Sequence, residues 1–150
     1  MTNDHPNPDN IEELCSSWVV EIISVNPLLI EKIVTHTQEA DALQARIGLT
    51  EVVRFLWLCR ESDAVLTPSQ RVDEIWHQLI LFTRGYQAFC IQNLKEFIHH
   101  QPSRAPVNER LQYARTIMKY KSVFGTPDNN YWPLPNLNTA KEADCGNCEN

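Results

Sequence analysis

Thr67-Pro68-Ser69-Gln70-Arg71-Val72-Asp73-Glu74-Ile75-Trp76-His77 opens the stretch whose reading decides the fold, and Phe97-Ile98-His99-His100-Gln101-Pro102 closes it. Thr67 is a candidate N-cap, Pro68 suits the first helical position, and Gln70 lies three residues after the cap. Val72, Ile75, Trp76, Leu79 and Ile80 then recur at helical spacing and define one apolar face. Asp73 and His77 are one turn apart, on a stripe that borders this face. Gly85 is expected to interrupt the helix, with Thr83 or Arg84 ending it and Gly85 taking a positive φ. A second helix then carries Tyr86, Phe89, Cys90, Asn93, Leu94 and Phe97 on one face. His99 and His100 are expected at its C-terminal end, where the helix dipole favours their charged form, and Pro102 blocks continuation.

Working outward, helical patterns dominate. Residues 1–10 are rich in Asn, Asp and Pro and are expected to be disordered. Ile11 to Val25 reads as a helix with Leu14, Trp18, Ile22 and Val25 facing inward, and with Cys15 as a buried thiol. Asn26 is the expected N-cap of the next helix, followed by Pro27 and by Leu29, Ile30, Ile33 and Val34 as its inner face. Ala40 to Arg46 is read as prolonging that helix before Gly48, and His36 as exposed. Thr50 is expected to open a third helix, Glu51 to about Glu61, apolar nearly all round and therefore central, with Cys59 in the core. Asn108 is the expected cap of a last helix through Tyr113, Ile117, Tyr120 and Phe124, with Gly125 as its stop. Beyond it, Pro127, Pro133 and Pro135 mark an extended tail that Tyr131-Trp132-Pro133 would anchor to the domain. No strand pattern and no internal repeat is visible. The expectation is an all-α fold, one domain of five or six helices over residues 11–125, with a Pro- and Asn-rich C-terminal extension over residues 126–150 ending in Cys145-Gly146-Asn147-Cys148.

A chain of 150 residues has room for one ordinary core. The formal charge of −6 disfavours nucleic acid and anionic membrane as general partners. The basic residues Arg110, Arg115, Lys119 and Lys121 read as a solvated helix face. The polar start carries no secretory signal, and no apolar run approaches membrane-spanning length. With an odd number of cysteines, five, these features predict a cytoplasmic protein rather than a disulfide framework.

Chemistry concentrates in the central stretch. Asp73, His77, Cys90, His99 and His100 offer oxygen, nitrogen and sulfur donors that suit zinc or iron. His77 with one or both of His99 and His100 would supply imidazole ligands, and Asp73 or Cys90 a further ligand or a hydrogen-bonding partner. The structural alternative has His77 hydrogen-bonded at the core edge and His99-His100 closing a helix end. Asp-x-x-x-His alone is a weak signal, and the chain has no His-Glu-x-x-His. Cys145 and Cys148 form a second candidate, a metal or redox handle outside the strand-to-helix setting of thioredoxin-type motifs. Trp76 with Tyr86, Tyr113, Tyr120 and Tyr131 reads as core. Phosphate-binding loops, nucleophile elbows and kinase signatures are absent.

Three blocks carry a resemblance: Val72-Asp73-x-x-Trp76-His77, Ile80-Leu81-x-Thr83-x-x-Tyr86-x-x-Phe89-Cys90, and Phe97-Ile98-His99-His100-x-Pro102. Together they resemble a bacterial family of glycine-rich-domain-containing proteins. The first block is also similar to the Trp-His element of plant glycine-rich domain proteins. The resemblance implies a small helical domain and no particular activity. The chain has only four glycines and no glycine-rich tail, so nothing attributed to such a tail carries over. The expected function is that of a small cytoplasmic helical module binding a metal through its Trp-His and His-His elements. The rivals are an enzyme using the same Asp/His/Cys cluster, and a protein-interaction module in which these residues are structural. Either would act on a protein or small-molecule partner that the sequence does not name.

Overall fold

The computed structural model describes residues 8–100 and 106–134. Among these residues are six α-helices and no strand. They are α1 (Pro8–Val25), α2 (Leu29–His36), α3 (Ala42–Glu61), α4 (Gln70–Leu81), α5 (Thr83–Phe89) and α6 (Pro106–Phe124); α5 runs on as a π-helical turn over Cys90–Leu94. The all-α, single-domain expectation is met. The expectations for residues 1–7, for residues 101–105 and for the tail from residue 135 on, Cys145 and Cys148 included, lie outside the described residues. Among the described residues no single helix is long and apolar enough to cross a membrane.

α3 is the element that the others pack around, and its length corrects the sequence reading. Thr50 does not open it. Asp41 is the cap, its carboxylate accepting from Gln44 N–H at 2.9 Å, and Thr50 donates back to the Arg46 carbonyl within the helix. Gly48 lies inside the helix as well, where Ile75 of α4 and Tyr131 approach closely. Val52, Val53, Phe55 and Leu56 are fully buried, as an all-round apolar helix should be. Trp18 and Ile22 of α1 pack on this centre, with Trp18 edge-on to Phe89 of α5 at 5.5 Å. Val25, expected inward, is exposed.

The Asn26 side chain serves the helix before it, and only its backbone carbonyl serves the one after, accepting from Leu29 N–H at 3.0 Å. The Asn26 backbone N–H and Nδ2 both donate to the Ile22 carbonyl, at 3.0 and 2.9 Å, closing the end of α1. The next helix starts only at Leu29. The start of α4 also differs from the expectation. Ser69 is its cap, with Oγ accepting from Val72 N–H at 3.1 Å. Thr67 is used elsewhere: it donates to Gln112 Oε1 at 2.7 Å and receives nothing from α4, while its N–H donates to Thr116 Oγ1 on α6. The cap lies two residues later than expected, and Thr67 is taken up by a tertiary contact with α6.

The break between α4 and α5 falls at Phe82 (φ −83°, ψ 65°), not at Gly85. Gly85 sits within α5 with no positive φ, and its role is steric: a Cβ there would run into the Asn26 side chain. The end of the second helix is different too. The π-helical turn widens the backbone, Lys95 takes a left-handed φ of 66°, and Arg60 of α3 donates to the Asn93 carbonyl at 3.0 Å. Phe97 to His100 therefore leave the helix and return to α4 as an irregular strap instead of finishing its last turn.

α6 begins at Pro106 rather than after a cap at Asn108, and Gly125, with φ 83°, stops it as expected. The Tyr131-Trp132 anchor is real: both rings are buried. Each reaches a buried carboxylate, Tyr131 Oη donating to Glu39 at 2.8 Å and Trp132 Nε1 donating to Glu51 at 2.8 Å. Arg71 of α4 meets Glu39 through Nε at 2.8 Å and Nη2 at 2.9 Å, while Arg54 and Tyr120 complete the ring of donors around Glu51.

Two expectations follow. Ala is a better helix former than Gly by about 1 kcal/mol, but over-packing a filled site costs about 1–3 kcal/mol. Gly85→Ala should therefore lower stability by about 1 kcal/mol in urea unfolding, and Asn26→Gly in the same chain should recover part of the loss. Burial pushes the thiols of Cys15 and Cys59 up to about 12. At pH 8 roughly one molecule in ten thousand then carries either thiolate. Peptide mapping after brief alkylation of the folded protein should find both cysteines unmodified, and alkylation in denaturant should label them.

Candidate metal centre

Asp73 and His77 project from one stripe of α4, as their spacing requires. The strap brings His100 between them. His100 Nε2 lies 2.5 Å from Asp73 Oδ1, and His100 Nδ1 lies 3.3 Å from His77 Nε2. The His100 ring stands edge-on to both neighbours on α4, with centroids 4.8 Å from Trp76 and 4.2 Å from His77. One ligand atom from each of Asp73, His77 and His100 falls within 4.8 Å of the others. Burial is graded across the group: the His100 side chain is 17% exposed, that of Asp73 is 32% exposed, and His77 faces solvent.

Hydrogen bonding fixes the tautomer of the middle residue. An ionised carboxylate can only accept, so the proton of His100 on this side sits on Nε2. Neutral His100 then turns the lone pair of Nδ1 toward His77. His77 can answer with an N–H, making a hydrogen bond, or with its own lone pair, in which case a cation must lie between the two rings.

The strap owes its path to Tyr86. The phenol accepts from Trp76 Nε1 at 3.1 Å and donates to the Ile98 carbonyl at 2.6 Å. Phe97 covers the same ring edge-on at 5.4 Å. Burial, reinforced by the neighbouring Cys90 thiol, holds the Tyr86 hydroxyl far above its ordinary range, so it is a neutral donor at any physiological pH. Burial likewise raises the Cys90 thiol.

Not every donor expected from the sequence joins the group. His99 takes no part in the group. It is exposed, and its ring lies 4.6 Å from Phe97. Cys90 is fully buried beside Tyr86. His99 and His100 do not close a helix end, because the helical turn has already ended at Leu94. Sequence reasoning also passed over Glu39, Glu51, Arg54 and Arg71, which brace the helices beneath the group. Glu51 had left a signal: a carboxylate inside an apolar run needs a buried partner. Glu39 had left none.

Removing the Tyr86 hydroxyl should loosen the strap without changing ring volume. Tyr86→Phe leaves the Trp76 indole N–H and the Ile98 carbonyl short of a partner, at a cost of about 1–3 kcal/mol. Faster amide exchange over residues 97–100 is expected, together with averaging of the His100 tautomers in nitrogen NMR. Unchanged exchange there would show that Tyr86 does not hold the strap.

No curated protein and no solved structure matches this chain. A family model does match, over residues 16–121, and it is that of the UCP032817-like family. This corrects the likeness to glycine-rich-domain proteins. That likeness rested on three short blocks, of which the first sets an inward Trp next to a polar His, a pattern that helix packing produces in unrelated contexts. The match spans well over half of the sequence, α3, α4 and α5 among it, and on that extent the chain belongs to the UCP032817-like family.

Proposed function

We propose that Asp73, His77 and His100 form a binding site for a divalent transition metal, zinc or iron, in a small cytoplasmic helical module. His77 Nε2 and His100 Nδ1 are the imidazole ligands. Asp73 receives the outer N–H of His100 and holds its ring in place, the usual arrangement behind a metal-bound histidine. The observation that carries this reading is the 3.3 Å between the two ring nitrogens. Two nitrogens bound at about 2.0–2.1 Å to a tetrahedral ion are separated by about 3.3–3.4 Å. The short contact between Asp73 and His100 argues for the carboxylate as orienting partner, since it is a hydrogen bond and not a ligand–ligand edge. Two protein nitrogens leave coordination positions open toward solvent, on the side of the exposed His77. Such openness suits an exchangeable or reactive metal better than a closed structural one. The free thiols Cys15, Cys59 and Cys90, placed singly in the structure, agree with a reducing compartment.

The same 3.3 Å separation also suits a hydrogen bond, and this favours a second reading, in which Asp73, His100 and His77 simply tie the strap to α4. Metal content and melting temperature, measured together, separate the two. Protein purified without a histidine tag, stripped and titrated with Zn²⁺ or Co²⁺, should take up one equivalent and melt higher. His77→Ala should abolish uptake. Asp73→Asn should weaken it by about 10–100-fold. A wild-type protein that binds none of zinc, cobalt or iron, while His77→Ala lowers its melting temperature, would leave the tie as the function of the group.

A further inference from the structure

A cavity of about 320 Å³ lies between the end of α3, the connection into α4 and the strap, with Trp76 in its lining. Part of its lining is apolar. Phe55 and Trp76 are almost fully buried there, with Leu66 beside them. Asp63, Glu96, Phe97 and His99 also line it, all of them exposed. No lysine or arginine lines the cavity, and His99 is the one basic side chain of the lining.

We propose that this cavity binds a small organic cation, an amine whose apolar body rests on Phe55, Leu66 and Trp76 and whose ammonium sits between Asp63 and Glu96. Each part of the lining selects for a part of the ligand. Aromatic faces attract a cation and bury an apolar body, and carboxylates form charge-assisted hydrogen bonds with an ammonium. The volume lies at the lower end of ligand pockets, about 300–1,000 Å³, and suits a single ring with a short chain. An anion would meet two like charges, and a neutral molecule would leave both carboxylates unused. Asp73, His77 and His100 do not line the cavity, so the proposal does not depend on the metal.

Phenethylamine, 2-phenylethanol and phenylacetate are matched probes differing in charge. Calorimetry on the full, metal-stripped chain should show one site for phenethylamine, at least about tenfold tighter than for 2-phenylethanol, and no binding of phenylacetate. Asp63→Asn combined with Glu96→Gln alters only exposed side chains and should cost phenethylamine about tenfold while leaving 2-phenylethanol unaffected. The Trp76 indole signal should shift on saturation. Failure of phenethylamine to bind, equal binding of 2-phenylethanol, an unaffected double variant or an unmoved Trp76 signal would each overturn the assignment.

Discussion

The phenol of Tyr86 is the constraint on which the metal-centre geometry depends. It is buried, and a buried hydroxyl without partners costs several times the net worth of a hydrogen bond. Here it is used in both directions, as acceptor for the Trp76 indole and as donor to the Ile98 carbonyl. Those two contacts join the middle of α4 to a segment that leaves a helix after a π-helical turn. With Ile98 fixed, the next two residues have little freedom. One side chain must face outward and the other must return to α4. His100 is the one that returns, and its distances to Asp73 and His77 follow from the position of a carbonyl two residues earlier.

Rigidity on the α4 side has another origin. Two carboxylates lie in the core, Glu39 before α3 and Glu51 within it. A buried charge is tolerated only when its lone pairs are filled, and each of these draws an arginine, a tyrosine and, for Glu51, a tryptophan. Arg71 is the arginine that meets Glu39, in a two-point contact that fixes orientation as well as distance. It precedes Asp73 by half a turn, so α4 is locked in rotation just where its functional stripe begins. The guanidinium also covers the Tyr131 ring at 4.0 Å, which joins this lock to the C-terminal segment. The group of three side chains is thus held from below by ionic contacts and from above by a phenol.

Much of this was legible in the chain and some was not, for physical reasons that differ by residue. The apolar face of α4 and the Asp73–His77 stripe follow from periodicity alone. The burial of Trp132 follows from a lone aromatic pair in a polar tail. The cap was misplaced at Thr67 because Ser69, two residues on, offers the same hydroxyl chemistry, and it is contacts with Gln112 and Thr116 on α6 that occupy Thr67. Gly85 signals a turn by local rules, yet what it provides is room for the close approach of Asn26, which no local pattern encodes. His100 was a visible candidate, but its place depended on Lys95 adopting a left-handed conformation that lysine does not advertise. The pairing of Glu39 with Arg71 spans 32 residues and has no sequence signature at all.

The bond from Trp132 to Glu51 has a consequence for the order in which the protein can be made. The partners are 81 residues apart, and Tyr131 reaches Glu39 across 92. On a growing chain, α3 emerges with both carboxylates near its apolar surface and without their last donors. Water must solvate Glu51 until the C-terminal segment leaves the ribosome, so the centre of α3 cannot dry out early. Helices can form as they appear, but the final closing of the core waits for long-range contacts, the slow kind in any folding reaction. The segment that looks like an afterthought in sequence is the last part the core needs before it can exclude water.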